Sequence, residues 1–301
     1  MVLLSRSSQV SLLPSKPALL TAGLALLLAT GNANAIGLVG LTSANEIARF
    51  DSANIAGATR VAITGLAAGD RFVGIDLRPG DNKIYGISLS NKIYTVNELT
   101  GATTLVATLG TNIINPALGY GLDFNPVADF SGATSFRVVS SAGDNYAVNA
   151  NTGAVTTATS IAAGFSGVAY TNSVPNPSGP PASTALYYID STNDTLSVAT
   201  TGFNNPTITL VGSLGVDALR ANGFEITGAG QAFAALNVDA GTSLTTGIYG
   251  ISLSTGAASL LGTFNGTLSG LTTSAVPEPG GWALMLAGLG ALGFVARRRQ
   301  R

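Results

Sequence analysis

The chain has 301 residues, of which 10% are charged and 38 are glycine, and it contains no histidine and no cysteine. These absences exclude disulfides, Cys or His metal sites, cysteine nucleophiles and Ser-His-Asp triads. Hydrophobic residues make up 46% of the chain, which excludes the composition of a disordered protein.

Residues 1–35 read as a secretory signal peptide with a signal helix. Arg6 and Lys16 form a basic start without acids, and Ala18 to Ala29 is an apolar run. That run is too short to cross a bilayer, which takes about 20 residues. Ala33 and Ala35 supply the small residues at −3 and −1, so cleavage is expected after Ala35.

Residues 36–275 carry 8 basic and 14 acidic residues, a net charge of −6. Such a domain is not expected to bind nucleic acid, because phosphate binding needs a basic face. Its opening strands are expected at Ile36–Leu41, Glu46–Phe50 and Val61–Leu66. A Gly followed by an apolar residue then recurs at Gly74, Gly121, Gly167, Gly223 and Gly270, spaced by 47, 46, 56 and 47 residues. The long interval contains a Pro-rich insertion, Val174 to Pro181. Each repeat has room for four strands. In the first they are Phe72–Leu77, Lys83–Leu89, Lys92–Asn97 and Thr103–Leu109, separated by Pro, Gly and Asn turn signals. The heptapeptide Ile-Tyr-Gly-Ile-Ser-Leu-Ser occurs at Ile84 and again at Ile248.

Four strands at this period match a β-propeller blade. Full repeats begin near 72, 119, 165 and 221. The three opening strands and one last strand, Ser269–Ser274, complete a fifth blade, and such closure removes exposed sheet edges. The expected fold is therefore all-β, a five-bladed β-propeller closed by its N- and C-terminal strands. A β-solenoid or β-sandwich of the same strands is the alternative. Asp76, Asp123 and Glu225 follow the Gly-apolar pair in three repeats, with Ala169 and Thr272 at the equivalent places in the others. Three strands lining one axis would bring these carboxylates together. The expected role is structural, with each acid bonded to backbone N–H groups or to Arg78 and Arg137. They are also a candidate cation or ligand site through oxygen ligands, or an acid/base pair for a glycosidic bond. Tyr85, Tyr94, Tyr187, Tyr188 and Tyr249 are expected to pack between blades, and Asp190 and Asp194 to stabilise their own turn.

Gly74-Ile75-Asp76-Leu77-Arg78-Pro79 followed by Ile84-Tyr85-Gly86 and Tyr94-Thr95-Val96 resembles the recurring pattern of a family of secreted bacterial domains of uncharacterised function. A variant lies at Gly121-Leu122-Asp123-Phe124-Asn125-Pro126. The resemblance covers most of 37–273 and implies no activity and no catalytic residues.

Residues 276–301 form a third segment. Pro277-Glu278-Pro279 precedes an apolar run, 280–296, and then Arg297, Arg298, Arg299 and Arg301. The 17 residues of that run make a transmembrane helix about 25 Å long at 1.5 Å per residue. The arginines would stay cytoplasmic, leaving the domain outside and tethered. The three-part pattern resembles the PEP-CTERM sorting signal of Gram-negative bacteria. The resemblance implies an exosortase-type membrane protease as partner, and a producer of exopolysaccharide or biofilm. The expectation is thus an exported, non-enzymatic protein without cofactor. It would be held transiently at the inner membrane, then reach the cell surface or matrix and bind polysaccharide or a matrix protein. The alternative is a polysaccharide-active enzyme, a glycosidase or lyase, using the axial carboxylates.

Overall fold

A computed structural model describes residues 35–276 apart from 132, 134, 176 and 240–243, together with 288–290 and 297. The chain opens with β1 (Gly37–Thr42), β2 (Glu46–Asp51) and β3 (Asn54–Ala62). Next come β4 (Phe72–Arg78), β5 (Lys83–Ser88), β6 (Lys92–Val96) and β7 (Thr103–Thr108), then β8 (Tyr120–Phe124), β9 (Ser135–Ser140), β10 (Asn145–Asn149) and β11 (Val155–Thr157). They are followed by β12 (Phe165–Tyr170), β13 (Leu186–Asp190), β14 (Thr195–Ala199) and β15 (Thr209–Ser213). The last are β16 (Arg220–Ile226), β17 (Ala232–Asp239), β18 (Leu244–Ile251), β19 (Ala258–Phe264) and β20 (Leu268–Thr273).

These strands form five four-stranded antiparallel sheets: β20-β1-β2-β3, then β4 to β7, β8 to β11, β12 to β15 and β16 to β19. We number them blades one to five. The innermost strands touch in a closed ring, β20 to β4 to β8 to β12 to β16 and back to β20. The fold is a five-bladed propeller, as the repeat arithmetic predicts. The closing pair runs from Leu38↔Thr273 to Thr42↔Leu268, so blade one is stitched from both ends of the domain.

Five apolar clusters fill the wedges between neighbouring blades. Between blades two and three, Tyr85, Phe124 and Phe136 are buried, with the two Phe rings stacked at 4.3 Å. Between blades five and one, Phe50, Phe233, Ile248 and Phe264 pack together. Each such side chain contributes about 1.5–3 kcal/mol on burial. Of the singled-out tyrosines, Tyr85, Tyr94, Tyr188 and Tyr249 are buried and Tyr187 is half-buried, in keeping with packing roles.

One expected strand needs correction. The apolar residues point to a third strand at Val61–Leu66, but β3 spans Asn54–Ala62. A tight turn at Ser52-Ala53 pairs Asp51 with Asn54, and the Ala53 N–H donates to Asp51 Oδ1 (2.6 Å), so the hairpin returns at once. Ile63 and Leu66 pack onto the core from beyond the strand end. The duplicated heptapeptide, in turn, does not mark equivalent places. Its first copy lies on β5, second in its blade, and its second copy on β18, third in its blade. What the copies share is local: the Ser88–Ser90 and Ser252–Ser254 hydroxyls are 3.1 and 3.2 Å apart in the turn that follows.

The domain holds the start of its tail. Glu98, after β6, accepts from the Val276 N–H (2.8 Å) and the Ser274 hydroxyl (2.9 Å), and it pairs with Arg49 Nε (3.1 Å). Asn82 Nδ2 donates to the Ala275 carbonyl (3.0 Å). The expected signal peptide, through Asn34, lies outside the described residues, as do Pro277, Glu278, Pro279, Arg298, Arg299, Arg301 and most of 280–296. Residues 288–290 and 297 are helical and exposed. Among the described residues, no helix is long and apolar enough to cross a membrane.

Candidate functional site: the axial carboxylates and two cavities

Asp76 on β4, Asp123 on β8 and Glu225 on β16 meet on the propeller axis, with one carboxylate oxygen from each within 4.8 Å of the others. All three are buried, with 2–4% of their surface exposed. The reason the repeat carries an acid here is a hydrogen-bond belt. Asp76 Oδ2 accepts the Phe124 N–H of blade three (2.8 Å), and Asp123 Oδ1 accepts the Tyr170 N–H of blade four (3.0 Å). Thr272 Oγ1 of blade one accepts the Leu77 N–H of blade two (2.9 Å). Glu225 is held by the Thr273 backbone of blade one. Each side chain thus satisfies the N–H one residue past the matching position in the next blade. Ala169 has no acceptor to offer blade five, and Glu225 takes up its own Ile226 N–H instead.

The carboxylates do not pair with the arginines considered from sequence. Arg78 turns outward to Asp129 (2.7 Å) and the Tyr85 hydroxyl (3.2 Å), and Arg137 to Tyr170, Asn145 and Asn204. Burial pushes the Asp76 carboxyl well above the usual range, and the neighbouring Glu225 charge adds to the shift. Asp123 is also raised by burial, then by Asp76 and Glu225. Glu225 is raised by burial against its hydrogen bonds. Proton counting agrees. The Thr272 hydroxyl lies 2.9 Å from Asp76 Oδ1 and 2.8 Å from Glu225 Oε2, yet it has a single proton to donate. The second contact requires a proton on one of the carboxyls.

A pH dependence follows. Groups whose pKa is raised on folding bind protons more tightly when folded. Their contribution is therefore fully present below the unfolded value, about 4, and is lost as pH rises through the folded values. Asp76→Asn removes one such group. Its stability relative to the parent chain should grow as pH rises from 4 to 8, by about 1.4 kcal/mol per unit of raised pKa. Urea melts across that range would show it. A difference independent of pH would mean that Asp76 is not held neutral.

Two cavities lie elsewhere. One, of about 480 Å³, opens where the inner strands begin and draws on all five blades. Its lining includes the hydroxyls of Ser141, Thr192, Thr267 and Ser269, and its one charged group among the described residues is Arg71. The acids lie three to five positions further along their strands, roughly 10–16 Å deeper at about 3.3 Å per residue, and do not line it. The second, of about 700 Å³, sits to the side between blades three and four. Sequence reading missed both, because their residues are scattered along the chain. Asp190 stabilises its own turn as expected, its Oδ1 accepting the Thr192 N–H (2.8 Å), but Asp194 does not: its Oδ1 accepts the N–H of Ala218, 24 residues on (2.8 Å), and ties the turn to the segment before β16. Tyr188 carries the buried side-chain polar atom that has no partner among the described residues.

Residues 46–272 match the family model for a domain of unknown function, DUF4394. The chain belongs to this family. Its residues 275–299 match the PEP-CTERM protein-sorting motif, which implies an exported protein processed by an exosortase. Only residues 273 and 274 separate the DUF4394 match from the motif match, and the grip of Glu98 and Asn82 reaches the first two residues of the motif match, Ala275 and Val276. No curated protein matches the chain. Among solved structures, the chain is similar to regucalcin, a calcium-binding protein from Agrobacterium tumefaciens. The identity is 15% over 77% of this chain and 74% of that one, with a TM-score of 0.41. It is also similar to a putative 6-phosphogluconolactonase from Bacteroides uniformis, with 9% identity over 76% and 82% and a TM-score of 0.40.

Proposed function

We propose that this DUF4394 propeller is a non-enzymatic binding module of an exopolysaccharide or biofilm matrix, delivered to the cell surface or beyond once the tail is removed. The observation that supports this reading is the division of labour along the axis. The carboxylates are committed to backbone N–H groups of neighbouring blades, are buried, and line neither cavity. The open end offers hydroxyls, backbone groups and one cation, a surface suited to sugar hydroxyls. The second reading, a polysaccharide-active enzyme, draws on the 4.8 Å approach of the three acids. It would require substrate to reach a buried belt.

The test uses the full chain in mild detergent with the exopolysaccharide of the producing bacterium. We expect co-sedimentation without new reducing ends or unsaturated products. Thr192→Trp, at the exposed rim of the axial mouth, should weaken retention at least tenfold. Cleavage that disappears in Glu225→Gln at an unchanged melting temperature would instead establish the enzyme.

A further inference from the structure

The cavity between blades three and four contains a buried charge that has no carboxylate partner among the described residues. Arg137, on β9, is 2% exposed and lines the cavity. Its guanidinium donates to three neutral oxygens: Nε to the Tyr170 hydroxyl (3.3 Å), one terminal nitrogen to Asn145 Oδ1 (2.8 Å) and the other to Asn204 Oδ1 (3.0 Å). Among the described residues it forms no ion pair with an acid. Asp123, opposite it in the β8–β9 register, turns instead toward Asp76 and Glu225 on the axis. A guanidinium has five N–H donors in a planar fork. These bonds use three, leaving one hydrogen on each terminal nitrogen.

Burying a cation without a counter-charge is costly, and such groups are normally paired. Arg137 is the one charged group among the described residues lining this cavity. Around it stand the amides of Asn125, Asn149, Asn204 and Asn205 and the ring of Phe203. Asn145 Nδ2 donates to the Phe203 carbonyl (3.1 Å), which holds the loop carrying Phe203 and Asn204 against blade three, and Phe203 packs edge-on to Tyr170 of blade four at 5.0 Å. The unpartnered Tyr188 hydroxyl lies near enough to feel the Arg137 charge. The volume, about 700 Å³, falls within the 300–1,000 Å³ usual for small-ligand sites.

We propose that this lateral cavity binds a carboxylate-bearing, polyhydroxylated ligand, a uronic acid unit of a saccharide. Arg137 receives the carboxylate, the asparagine amides take the ring hydroxyls, and Phe203 offers an apolar face. An Arg fork suits a carboxylate better than a neutral hydroxyl, because charge-assisted bonds are about twice as strong. The site is separate from the axial mouth, and the proposal stands if that mouth binds nothing.

Calorimetric titration of the full chain in mild detergent tests it, with tri-galacturonate as probe and the neutral galactotriose as comparison. We expect galactotriose to bind at least tenfold more weakly. Arg137→Gln should lose at least tenfold for tri-galacturonate. Because Arg137 also holds three neighbours, that variant can fail to fold, so a second variant decides independently. Ala154→Trp places a ring in the cavity from an exposed lining position. It should lose at least tenfold while keeping the parent melting temperature and its Thr192→Trp-sensitive retention on exopolysaccharide. The proposal is overturned if tri-galacturonate does not bind, if galactotriose binds equally well, or if Ala154→Trp binds tri-galacturonate like the parent. Loss of exopolysaccharide retention in the parent chain would sink the axial reading and leave the lateral site untouched.

Discussion

Gly223→Val should leave the propeller unable to close. Gly223 lies on β16 where blade five meets β20 of blade one. A Cβ there would fall on the Leu271 backbone nitrogen, 2.6 Å from Leu271 Cβ and 2.7 Å from the Gly270 carbonyl carbon. The obstacle is backbone, and β20 cannot retreat because it is paired to β1 and packed on β4. Gly121 stands in the same relation to blade four, with Ser166 O at 2.8 Å and Val168 N at 2.9 Å. At these two repeats the inner strands converge too closely for a side chain, whereas at Gly74 a Cβ would meet the Leu122 side chain instead of backbone. Overpacking costs about 1–3 kcal/mol when side chains can yield, so Gly223→Ala should cost about 3 kcal/mol or more. Against a total stability of about 5–15 kcal/mol, the valine variant should be protease-sensitive throughout. Gly250→Ala, whose Cβ meets nothing nearer than 3.8 Å, is the control and should cost far less. Denaturant melts of the two alanine variants that coincide would show that convergence at Gly223 does not limit folding.

Replacing Pro277-Glu278-Pro279 by three alanines should reduce release of the protein at least tenfold and leave it uncleaved in the membrane fraction with Arg297–Arg301 attached. Proline fixes φ and disfavours helix in the residue before it, which keeps the motif extended for a protease cleft. Alanine would let an apolar helix run back as far as the residues held by Glu98, leaving no extended stretch between membrane and domain. The measurement is the size and location of the protein in pulse-labelled cells. Shedding at the normal rate and size would show that the motif does not direct processing.

Blade number, closure and the convergence of the acids could be read from the sequence because each rests on period. The Gly-apolar-acid spacing reports a strand that recurs at one radius, and three strands at one end plus one at the other leave a single way to finish the ring. The partners of the acids could not be read in this way. Arg78 and Arg137 were plausible counter-charges by count, but the belt links residues 47 or more positions apart through backbone N–H groups, which carry no residue identity. The start of β3 was hidden for a different reason. Exposed residues of an outer strand, such as Ala56 and Gly57, lack the apolar alternation that marks inner strands. The lateral cavity was the least legible feature, since Asn125, Arg137 and Asn204 come from three segments and only Arg137 stands out by type.

The grip of Glu98 and Asn82 on residues 274–276 has a mechanical consequence. A pull applied through the tail enters the domain at Val276, the residue held by Glu98. That load meets the Glu98 contacts first and then β20, whose ladder with β1 is pulled along its length, so its cross-links share the strain instead of parting one by one. The strand that closes the ring is therefore also the one that bears tension, and severing the tail relieves the strand on which the whole circle depends.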